Sequence, residues 1–344
     1  MARLPVATKQ KKPTYRVAVV GCGKIGALFE AEPKREKPAS HAGAAVLNSR
    51  TKLAAFVDTR KENLAAAAKL FPQAVPYAKL SFCLKKERPD IVVIATPPAA
   101  RLALIRECVR EGVRIVVCEK PLASNKKEAA QIEALVKKSR TTFVLNYQRR
   151  FSPLFARVRQ EIKKGKLGRI QQITCYYSNG LYSNAGHIVD ALSYVLDDEI
   201  VSASGFTNAV NKTHPAGDIN VDAILKTKKG TTIALQSFDQ KEYGIHDIRI
   251  YGTKESATLT DYGMTLVETP AAVSQFKGVL QLDGKRRRET HSPLSATKQV
   301  LTHAIESYEK KLPQASSATS GLAVLRVLDA IARSAKLQGK TIRI

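Results

Sequence analysis

The sequence predicts an α/β domain with a parallel sheet, followed by an α+β domain with an open, mostly antiparallel sheet. Up to about residue 150, short apolar segments alternate with helical segments, which is typical of a doubly wound parallel sheet. Beyond that point, strand-like segments follow one another with few helices between them. The 344 residues are enough for two domains, because single cores stop growing near ~250–300 residues. We predict domains over residues 1–150 and 151–344.

In the first domain, strands are expected where β-branched and apolar residues follow one another, and helices where capping or turn residues bound a helical periodicity. The expected strands are residues 15–20, 53–57, 90–95, 114–118 and 142–146. The expected helices are residues 25–29, 41–48, 61–71, 102–111 and 124–138, the last with Ser124 at its N-terminus. Residues 30–40 contain two prolines and three Lys/Arg residues, so they are interpreted as an insertion that interrupts the first helix.

In the second domain, strands predominate. The expected strands are residues 170–178, 201–210, 221–226, 231–238, 247–251, 257–260 and 341–344. The expected helices are residues 154–164, one that begins near residue 188, and residues 296–310 and 321–336. The last helix and strand are expected to pack back on the first domain. The basic N-terminal residues 1–13 are expected to form a disordered tail.

The charge balance is strongly basic, with 56 Lys and Arg residues against 30 Asp and Glu residues and a formal net charge of +26. Such a field attracts anions. It is either a solvated surface or the mark of an anionic partner, such as a nucleotide-sugar, an acidic sugar or nucleic acid. The basic residues are spread along the chain without interleaved aromatic residues, which favours a solvated surface and disfavours nucleic acid. An anionic small substrate stays open.

The cysteines and histidines exclude several classes of protein. The five cysteines are odd in number and form no CxxC pair, which indicates a reducing compartment and a cytoplasmic location. No apolar run approaches the ~18 residues that span a bilayer, and the N-terminal segment lacks an apolar signal core. Neither a membrane partner nor secretion is therefore expected. The histidines have no metal-ligand spacing with acids or cysteines, so no metal is predicted.

A Gly-x-Gly-x-x-Gly loop follows the first expected strand and is of the dinucleotide-binding type. Gly21 permits the tight turn, Gly23 lets the backbone approach a pyrophosphate, and Gly26 lets the next helix pack on the sheet. The free N–H groups of that helix then face the phosphates. The loop predicts a Rossmann domain whose cofactor-binding residues are Gly21, Gly23, Lys24, Ile25 and Gly26.

Asp58 ends the second expected strand, where a carboxylate accepts hydrogen bonds from the adenosine ribose and repels a 2′-phosphate. Asp58 therefore favours NAD over NADP. It lies farther from Gly26 than the usual ~20 residues, and the insertion at residues 30–40 accounts for the excess. Arg60 leaves NADP open, because its guanidinium can hold a 2′-phosphate. Asp58 also fits the N-cap of the following helix, as does Thr59.

Two further motifs follow. Glu119-Lys120-Pro121 ends an apolar run, and Gly186-His187-Ile188-Val189-Asp190 lies in the second domain. Together with the glycine loop, these stretches resemble the GFO/IDH/MocA family (glucose-fructose oxidoreductase, inositol dehydrogenase and relatives). The resemblance covers residues 15–344.

The resemblance implies how the first domain holds the nicotinamide. Thr96 and Pro97 form the turn beneath the nicotinamide half, and Glu119 and Lys120 contact the cofactor. The family pattern also implies a cis peptide after Lys120. Arg101 stands about where the family often has a histidine, which is a departure from the pattern.

The resemblance also implies the substrate-binding residues. Asn146 and Gln148 contact sugar hydroxyls and Arg149 orients the substrate or contacts the cofactor, although the same residues equally fit a role in bracing the domain junction. Asn184 is a further candidate. Its neighbour Ser183 stands where many members carry an aspartate, which departs from the inositol dehydrogenase type.

The chemistry expected from these residues is hydride transfer. Lys120 donates a hydrogen bond to the reacting oxygen and stabilises the alkoxide. His187 takes the hydroxyl proton, because histidine titrates near neutrality. Asp190 shares a helix face with His187 at a spacing of three residues, and we expect it to orient the ring and to belong to the substrate site.

The sequence therefore predicts an NAD(P)-dependent oxidoreductase that acts on a secondary alcohol or ketone of a sugar, polyol or nucleotide-sugar. The family resemblance implies a homodimer or homotetramer that pairs through the open sheet faces. The alternative is a non-enzymatic, dinucleotide-binding transcriptional regulator of the same fold. No helix-turn-helix is visible, and the presence of both Lys120 and His187 favours the enzyme.

Overall fold

The computed structural model describes residues 14–208, 210–212, 214–291 and 296–344. Residues 1–13, for which a disordered tail is expected, lie outside these ranges. None of the helices within them combines the length and apolar character needed to cross a membrane.

The first domain is a parallel sheet with helices between its strands. Its strands are β1 (Tyr15–Val20), β2 (Thr51–Val57), β3 (Val75–Tyr77), β4 (Ile91–Ile94), β5 (Ile115–Cys118) and β6 (Thr142–Leu145). Its helices are α1 (His41–Leu47), α2 (Lys61–Leu70), α3 (Leu80–Glu87), α4 (Arg101–Arg110) and α5 (Lys126–Lys137). The strand order is β3-β2-β1-β4-β5-β6, and all neighbours are parallel. The predicted Rossmann sheet is confirmed, with β4 and β5 buried along their whole length.

The segment after the glycine loop differs from the prediction. Instead of a helix over residues 25–29, the chain forms turns and a short 3₁₀ helix, Leu28–Ala31. Pro33 and Pro38 in the insertion prevent helical hydrogen bonding from continuing. The α-helix begins only at His41, where the Ser40 hydroxyl accepts a hydrogen bond from the Gly43 amide at 3.0 Å.

Smaller differences concern the same domain. Neither β3 nor α3 was predicted, and Val75–Tyr77 is short, carries a proline and is largely exposed at the sheet edge. The N-cap of α5 is Asn125, whose side chain accepts from the Glu128 amide at 2.9 Å, and not Ser124.

The second domain is a nine-stranded sheet covered by helices. Its strands are β7 (Ile170–Ser178), β8 (Ile200–Thr207), β9 (Val221–Thr227), β10 (Thr232–Phe238), β11 (His246–Gly252), β12 (Glu255–Thr260), β13 (Thr265–Pro270), β16 (Arg287–Thr290) and β17 (Ile342–Arg343), and β14 (Ala272–Val273) pairs separately with β15 (Leu280–Gln281). Its helices are α6 (Pro153–Lys163), α7 (Gly186–Leu196), α8 (Ala296–Lys310) and α9 (Ala318–Lys336). The order is β16-β13-β12-β11-β7-β10-β9-β8-β17. Only the β7–β10 pair is parallel among these neighbours, which confirms the mostly antiparallel prediction.

One face of this sheet is buried and the other is open. Along β9, Val221, Ala223 and Leu225 are buried in one core with residues of α7 and α9, whereas Ile224 is 42% exposed on the opposite face. This alternation follows the two-residue period of a strand. Tyr176 of β7 also lies on the open side, with its ring 5.5 Å from that of Phe238.

The C-terminal elements connect the domains. Val300 and Ile305 of α8 belong to the same hydrophobic core as Val17 of β1. Helix α9 packs on α5 and β6 of the first domain and on β8 of the second. The last strand, β17, pairs with β8 and not with the first domain.

Gly321 is a point of close approach between α9 and the first domain. A Cβ atom built on Gly321 would lie 2.5 Å from Leu145 Cδ2 and 3.0 Å from Leu122 Cβ. We expect Gly321→Val to lower the free energy of unfolding by about 1–3 kcal/mol through overpacking, although Val favours a helix more than Gly does. Urea denaturation measures this. The exposed Ala323→Val on the same helix is the control, and equal stabilities of the two variants would contradict the close docking.

Candidate active site

The candidate site lies at the carboxyl ends of β1, β4, β5 and β6. The strand order reverses between β1 and β4, and ligands of open α/β sheets bind at such a switch point. A cleft of about 350 Å³ opens there. It is lined by Ile25, Phe29, Ala95, Arg101, Glu119, Lys120, Asn146, Gln148 and His187. Six of these were predicted as site residues from the sequence, and Phe29, Ala95 and Arg101 were not.

The glycine loop has the shape of a phosphate cradle. Gly21 has φ +90, and a Cβ atom there would lie 2.8 Å from the Ala95 carbonyl carbon. Nothing lies within 4 Å of a Cβ atom built on Gly23, so a ligand can approach the backbone at this point. A Cβ atom on Gly26 would overlap the Gly21 carbonyl oxygen. Gly26 therefore closes the loop on itself, and does not serve helix–sheet packing as predicted.

Asp58 braces this loop. Its Oδ2 accepts hydrogen bonds from the Cys22 amide at 2.8 Å and from Asn63 Nδ2 at 2.9 Å, and its Oδ1 accepts from the Arg60 amide at 2.9 Å. The N-cap of α2 is Arg60, so Asp58 is not the helix cap. The Arg60 side chain is exposed. Contact of either residue with a ribose stays a prediction.

Glu119 is a buried carboxylate surrounded by donors. Its Oε1 lies 2.9 Å from His41 Nε2 and accepts from Asn146 Nδ2 at 2.6 Å, and its Oε2 accepts from the Lys120 amide at 3.1 Å. Burial alone would raise the pKa of Glu119, but the hydrogen bonds from His41 and Asn146 and the charge of Lys120 outweigh it and lower the pKa to about 2. Because an ionised carboxylate only accepts hydrogen bonds, His41 must carry its proton on Nε2.

Arg101 joins the ends of β4 and β5. Its Nε and Nη2 donate to the Thr96 carbonyl oxygen at 3.1 and 2.7 Å, its Nη1 donates to the Glu119 carbonyl oxygen, and its Nη2 also reaches the Lys120 carbonyl oxygen at 3.3 Å. A guanidinium satisfies these carbonyls together, which a histidine cannot do. The residue that departs from the family pattern therefore fixes both turns. Neither Thr96 nor Pro97 lines the cleft.

Lys120 connects the two domains. The peptide between Lys120 and Pro121 is cis, as the family resemblance implied. Lys120 Nζ donates to the Ser183 carbonyl oxygen at 3.0 Å. Burial, with Arg149 and Arg101, lowers the pKa of Lys120, while Glu119 and Asp218 act in the opposite direction.

Asp218 supplies a carboxylate next to Ser183, where many family members carry an aspartate. It accepts hydrogen bonds from the Tyr182 amide at 3.0 Å and from the Ser183 amide at 2.9 Å. These bonds hold the π-helical turn Leu181–Ala185 that presents the Ser183 carbonyl to Lys120. This role of Asp218 was not predicted, because Asp218 lies 35 residues from Ser183.

His187 lies in the first turn of α7, directly after the π-helical turn. Its ring is perpendicular to that of Tyr147 at 5.8 Å. Burial lowers the pKa of His187 well below 6.5, and the charges of Lys120 and Arg149 act in the same direction. The ring is therefore neutral at pH 7 and able to accept a proton.

The prediction that Asp190 orients the His187 ring is wrong. Asp190 is fully buried and binds Arg150, whose Nε donates to both carboxylate oxygens at 2.9 Å. No hydrogen bond joins Asp190 to His187, and within the described ranges His187 Nδ1 has no partner. Asp190 and His187 do have the predicted helical spacing, but the guanidinium of Arg150, a charged donor from another element, binds the Asp190 carboxylate instead.

The remaining predicted substrate residues divide into two groups. Asn146 and Gln148 line the cleft. Asn184 does not, since its Nδ2 donates to the Ser178 carbonyl oxygen at 2.9 Å and holds the turn. Arg149 is buried behind the cleft, with Nη2 3.4 Å from the Tyr262 carbonyl oxygen. Among the described residues, no group of three or more His, Cys, Asp or Glu could hold a metal ion.

The chain belongs to the GFO/IDH/MocA family. Residues 15–147 match the family model for the oxidoreductase family with an NAD-binding Rossmann fold, and residues 155–258 match the GFO/IDH/MocA C-terminal domain. The chain is thus an NAD-dependent oxidoreductase by family, and the matches give no support to a non-enzymatic regulator.

Individual relatives agree with this assignment. An inositol 2-dehydrogenase of Rhizobium meliloti (strain 1021) is 25% identical over 93% of this chain and 97% of its own length. The WlbA dehydrogenase of Bordetella pertussis, solved with NADH and UDP-GlcNAcA, has a TM-score of 0.74 and 21% identity over 96% of this chain and 99% of its own. The aldose-aldose oxidoreductase of Caulobacter crescentus has a TM-score of 0.78 and 17% identity over 96% and 100%.

The buried charge of Glu119 makes stability depend on pH. Its pKa of about 2 in the fold, against 4.5 unperturbed, means that the carboxylate stabilises the fold fully above pH 4.5 and loses this contribution as the pH falls toward 2. This difference between the two pKa values corresponds to about 3 kcal/mol in the free energy of unfolding, of which about 2 kcal/mol is lost by about pH 3.

We therefore expect the stability difference between the wild type and Glu119→Gln to shrink by about 2 kcal/mol from about pH 6 to pH 3. Urea unfolding at the two pH values measures it. The exposed Glu62→Gln should show no comparable change. A difference that is independent of pH would mean that Glu119 is not ionised in the fold.

Proposed function

We propose that the protein transfers a hydride between NAD and a secondary alcohol or ketone of a sugar, polyol or nucleotide-sugar. The observation that carries the proposal is that Lys120 from the first domain and His187 from the second line one cleft. Ile25 of the glycine loop lines the same cleft, so this loop and both reactive groups meet there. NAD, when bound, supplies the hydride acceptor at its nicotinamide ring.

His187 and Lys120 have different roles in the oxidation. The neutral imidazole of His187 takes the hydroxyl proton as the carbon loses its hydride. The ammonium of Lys120 has three donors, one of which is held by the Ser183 carbonyl, and another reaches the substrate oxygen as negative charge develops there. Glu119 and Arg101 hold Lys120 in place through its backbone. Reduction uses the same groups in reverse.

The substrate class is a sugar or an anionic sugar derivative. The relatives include an inositol 2-dehydrogenase and a dehydrogenase solved with UDP-GlcNAcA, which bracket neutral polyols and acidic nucleotide-sugars. Asn146 and Gln148 offer amide groups to substrate hydroxyls from the cleft wall. The net charge of +26 attracts the acidic candidates.

The open face of the nine-stranded sheet is the proposed surface of self-association, because Ile224 and Tyr176 leave apolar area there without cover in one chain. Sedimentation of a monomer at micromolar concentration would contradict a homodimer or homotetramer. The proposed location is the cytoplasm, since all five cysteines are free and buried, and recovery outside that fraction would contradict it.

The cofactor preference rests on Asp58. A carboxylate at the end of β2 repels a 2′-phosphate, so we expect Asp58→Ser to raise the ratio of kcat/KM with NADP to kcat/KM with NAD by about tenfold or more. Serine keeps an oxygen for the Cys22 amide. The exposed Glu62→Gln serves as the control for lost negative charge. An unchanged ratio would remove Asp58 from the ribose site.

The catalytic roles are tested by removing each reactive group. We expect Lys120→Met to lower kcat by about 10²–10³-fold and His187→Gln by about 10²–10⁴-fold, while the affinity for NADH stays within about threefold of wild type. The exposed Lys127→Met is the matched control for Lys120. Turnover of a sugar and nucleotide-sugar panel is followed at the nicotinamide absorbance.

The pH profile separates a base from a structural histidine. Because the pKa of His187 lies well below 6.5, kcat/KM for oxidation should stay level from about pH 8 to pH 6.5 and fall only below that. The His187→Gln variant should lack this acidic limb. An acidic limb that persists in the variant, or full activity of Lys120→Met, would refute the assigned roles.

A further inference from the structure

Behind the cleft lies a group of buried nitrogen atoms that the proposed reaction does not use. They belong to Arg149, directly after Gln148 of the cleft wall, and to His246, at the start of β11. Both side chains are more than nine-tenths buried, at 5% and 2% exposure. The His246 ring lies close to the proposed base, with its centroid 6.5 Å from that of His187. The charge of Arg149 acts on both Lys120 and His187.

Arg149 is a buried cation without a carboxylate of its own. Its Nε and Nη1 have no hydrogen-bond partner anywhere in the described part of the chain. Its Nη2 makes one long contact of 3.4 Å with the Tyr262 carbonyl oxygen. Asp190 is the carboxylate whose charge reaches Arg149, and it is bound on both oxygens by Arg150. Burial lowers the pKa of Arg149 to about 10, so the guanidinium stays charged at pH 7.

His246 adds a further unpaired nitrogen. Its Nε2 is buried and lacks a partner among the residues that the structure describes. The ring stacks on that of Tyr262, with centroids 5.9 Å apart and an interplanar angle of 24°. Tyr262 is 43% exposed, has φ 59 and lies in the turn Asp261–Gly263, so this one residue contacts both Arg149 and His246.

This arrangement is costly unless an anion completes it. A buried polar group without a partner loses its hydration without compensation, and a buried charge loses more. Burial, together with the charges of Arg149 and Lys120, lowers the pKa of His246 well below 6.5, so the ring is neutral and carries a single N–H, whose place on Nδ1 or Nε2 the tautomer decides. The site thus offers the positive charge of Arg149, close to that of Lys120, together with two free donor nitrogens on Arg149 and the unpaired Nε2 of His246, which donates in one tautomer.

We propose that Arg149 and His246 bind the carboxylate of an acidic sugar substrate, of the uronic or aldonic acid class, beside the carbon that is oxidised between Lys120 and His187. This assignment rests on the proposed function and specifies its substrate. A carboxylate carries one negative charge and matches the single charge of Arg149. A phosphate dianion would need a second cation, and Lys120 is already engaged by the Ser183 carbonyl oxygen and, in the proposed reaction, by the substrate oxygen.

The test compares sugars that differ only at one carbon. Full-length protein loaded with NADH is titrated calorimetrically with D-glucuronate and D-galacturonate, and with D-glucose and D-galactose as neutral counterparts. Inorganic phosphate and glucose 6-phosphate form the phosphate arm. With NAD, kcat/KM is measured for the same panel. We expect the acids to be favoured over their neutral counterparts by about 10- to 100-fold, the range of hydrogen bonds to a charged group.

The variants assign this preference to the two residues. Arg149→Met and His246→Asn should reduce the ratio of acid to neutral sugar toward one, and Arg149→Lys and His246→Gln should restore part of it, because they keep a cation and a donor near the same points. The exposed Arg114→Met, at the opposite end of β5, removes one positive charge far from the site and should keep the full preference. NADH affinity and thermal unfolding report whether each variant is folded.

Failure of this site and failure of the proposed function give different results. Turnover of neutral sugars without preference for acids would overturn the carboxylate site and leave the function standing. Arg149-dependent binding of uronates without any turnover would support the site and overturn the function. Tighter Arg149-dependent binding of phosphate or glucose 6-phosphate than of uronates would overturn the carboxylate assignment. Retention of the preference by folded Arg149→Met would overturn the role of Arg149.

Discussion

The site depends on one buried negative charge, the carboxylate of Glu119. It is held by His41 from α1, by Asn146 at the end of β6 and by the Lys120 amide. Burial would otherwise neutralise the carboxyl group, so these donors must be present together for the charge to persist. The same contacts fix three elements of the first domain relative to one another. Because the Lys120 amide is among the donors, the direction in which this side chain leaves the sheet is determined as well.

Residues of the second domain complete the cleft that begins at the sheet of the first domain. The Ser183 carbonyl receives the Lys120 ammonium, and Asp218 fixes Ser183 from a loop before β9. His187 follows on α7, at the same junction. The cleft therefore exists only where the domains meet, and α9, which packs on both, holds them in this relation. Arg149 follows Gln148 of this cleft directly, and the His246 ring lies 6.5 Å from that of His187.

Site residues were predictable from the sequence where the signal acts over a few neighbouring residues. The glycine loop, Lys120 and His187 are recognisable because each motif is short and ends or begins an element, and all three reach one cleft. The helix predicted after Ile25 failed because two prolines in the insertion outweigh local helical periodicity. Asp190 was read correctly as a helix-face neighbour of His187, yet Arg150, 40 residues away, binds it.

The sequence by itself determined most of the strands and helices in their order, the parallel and antiparallel halves, and the positions of the reactive groups along the chain. These follow from periodicity and turn chemistry, which act over a few residues. Only the tertiary structure decided which charges are paired. Arg101 clamps two turns, Asp218 binds the Ser183 amide, and no carboxylate of the described residues hydrogen-bonds to Arg149. Such pairing depends on distances across packed elements, which residues close in sequence do not encode.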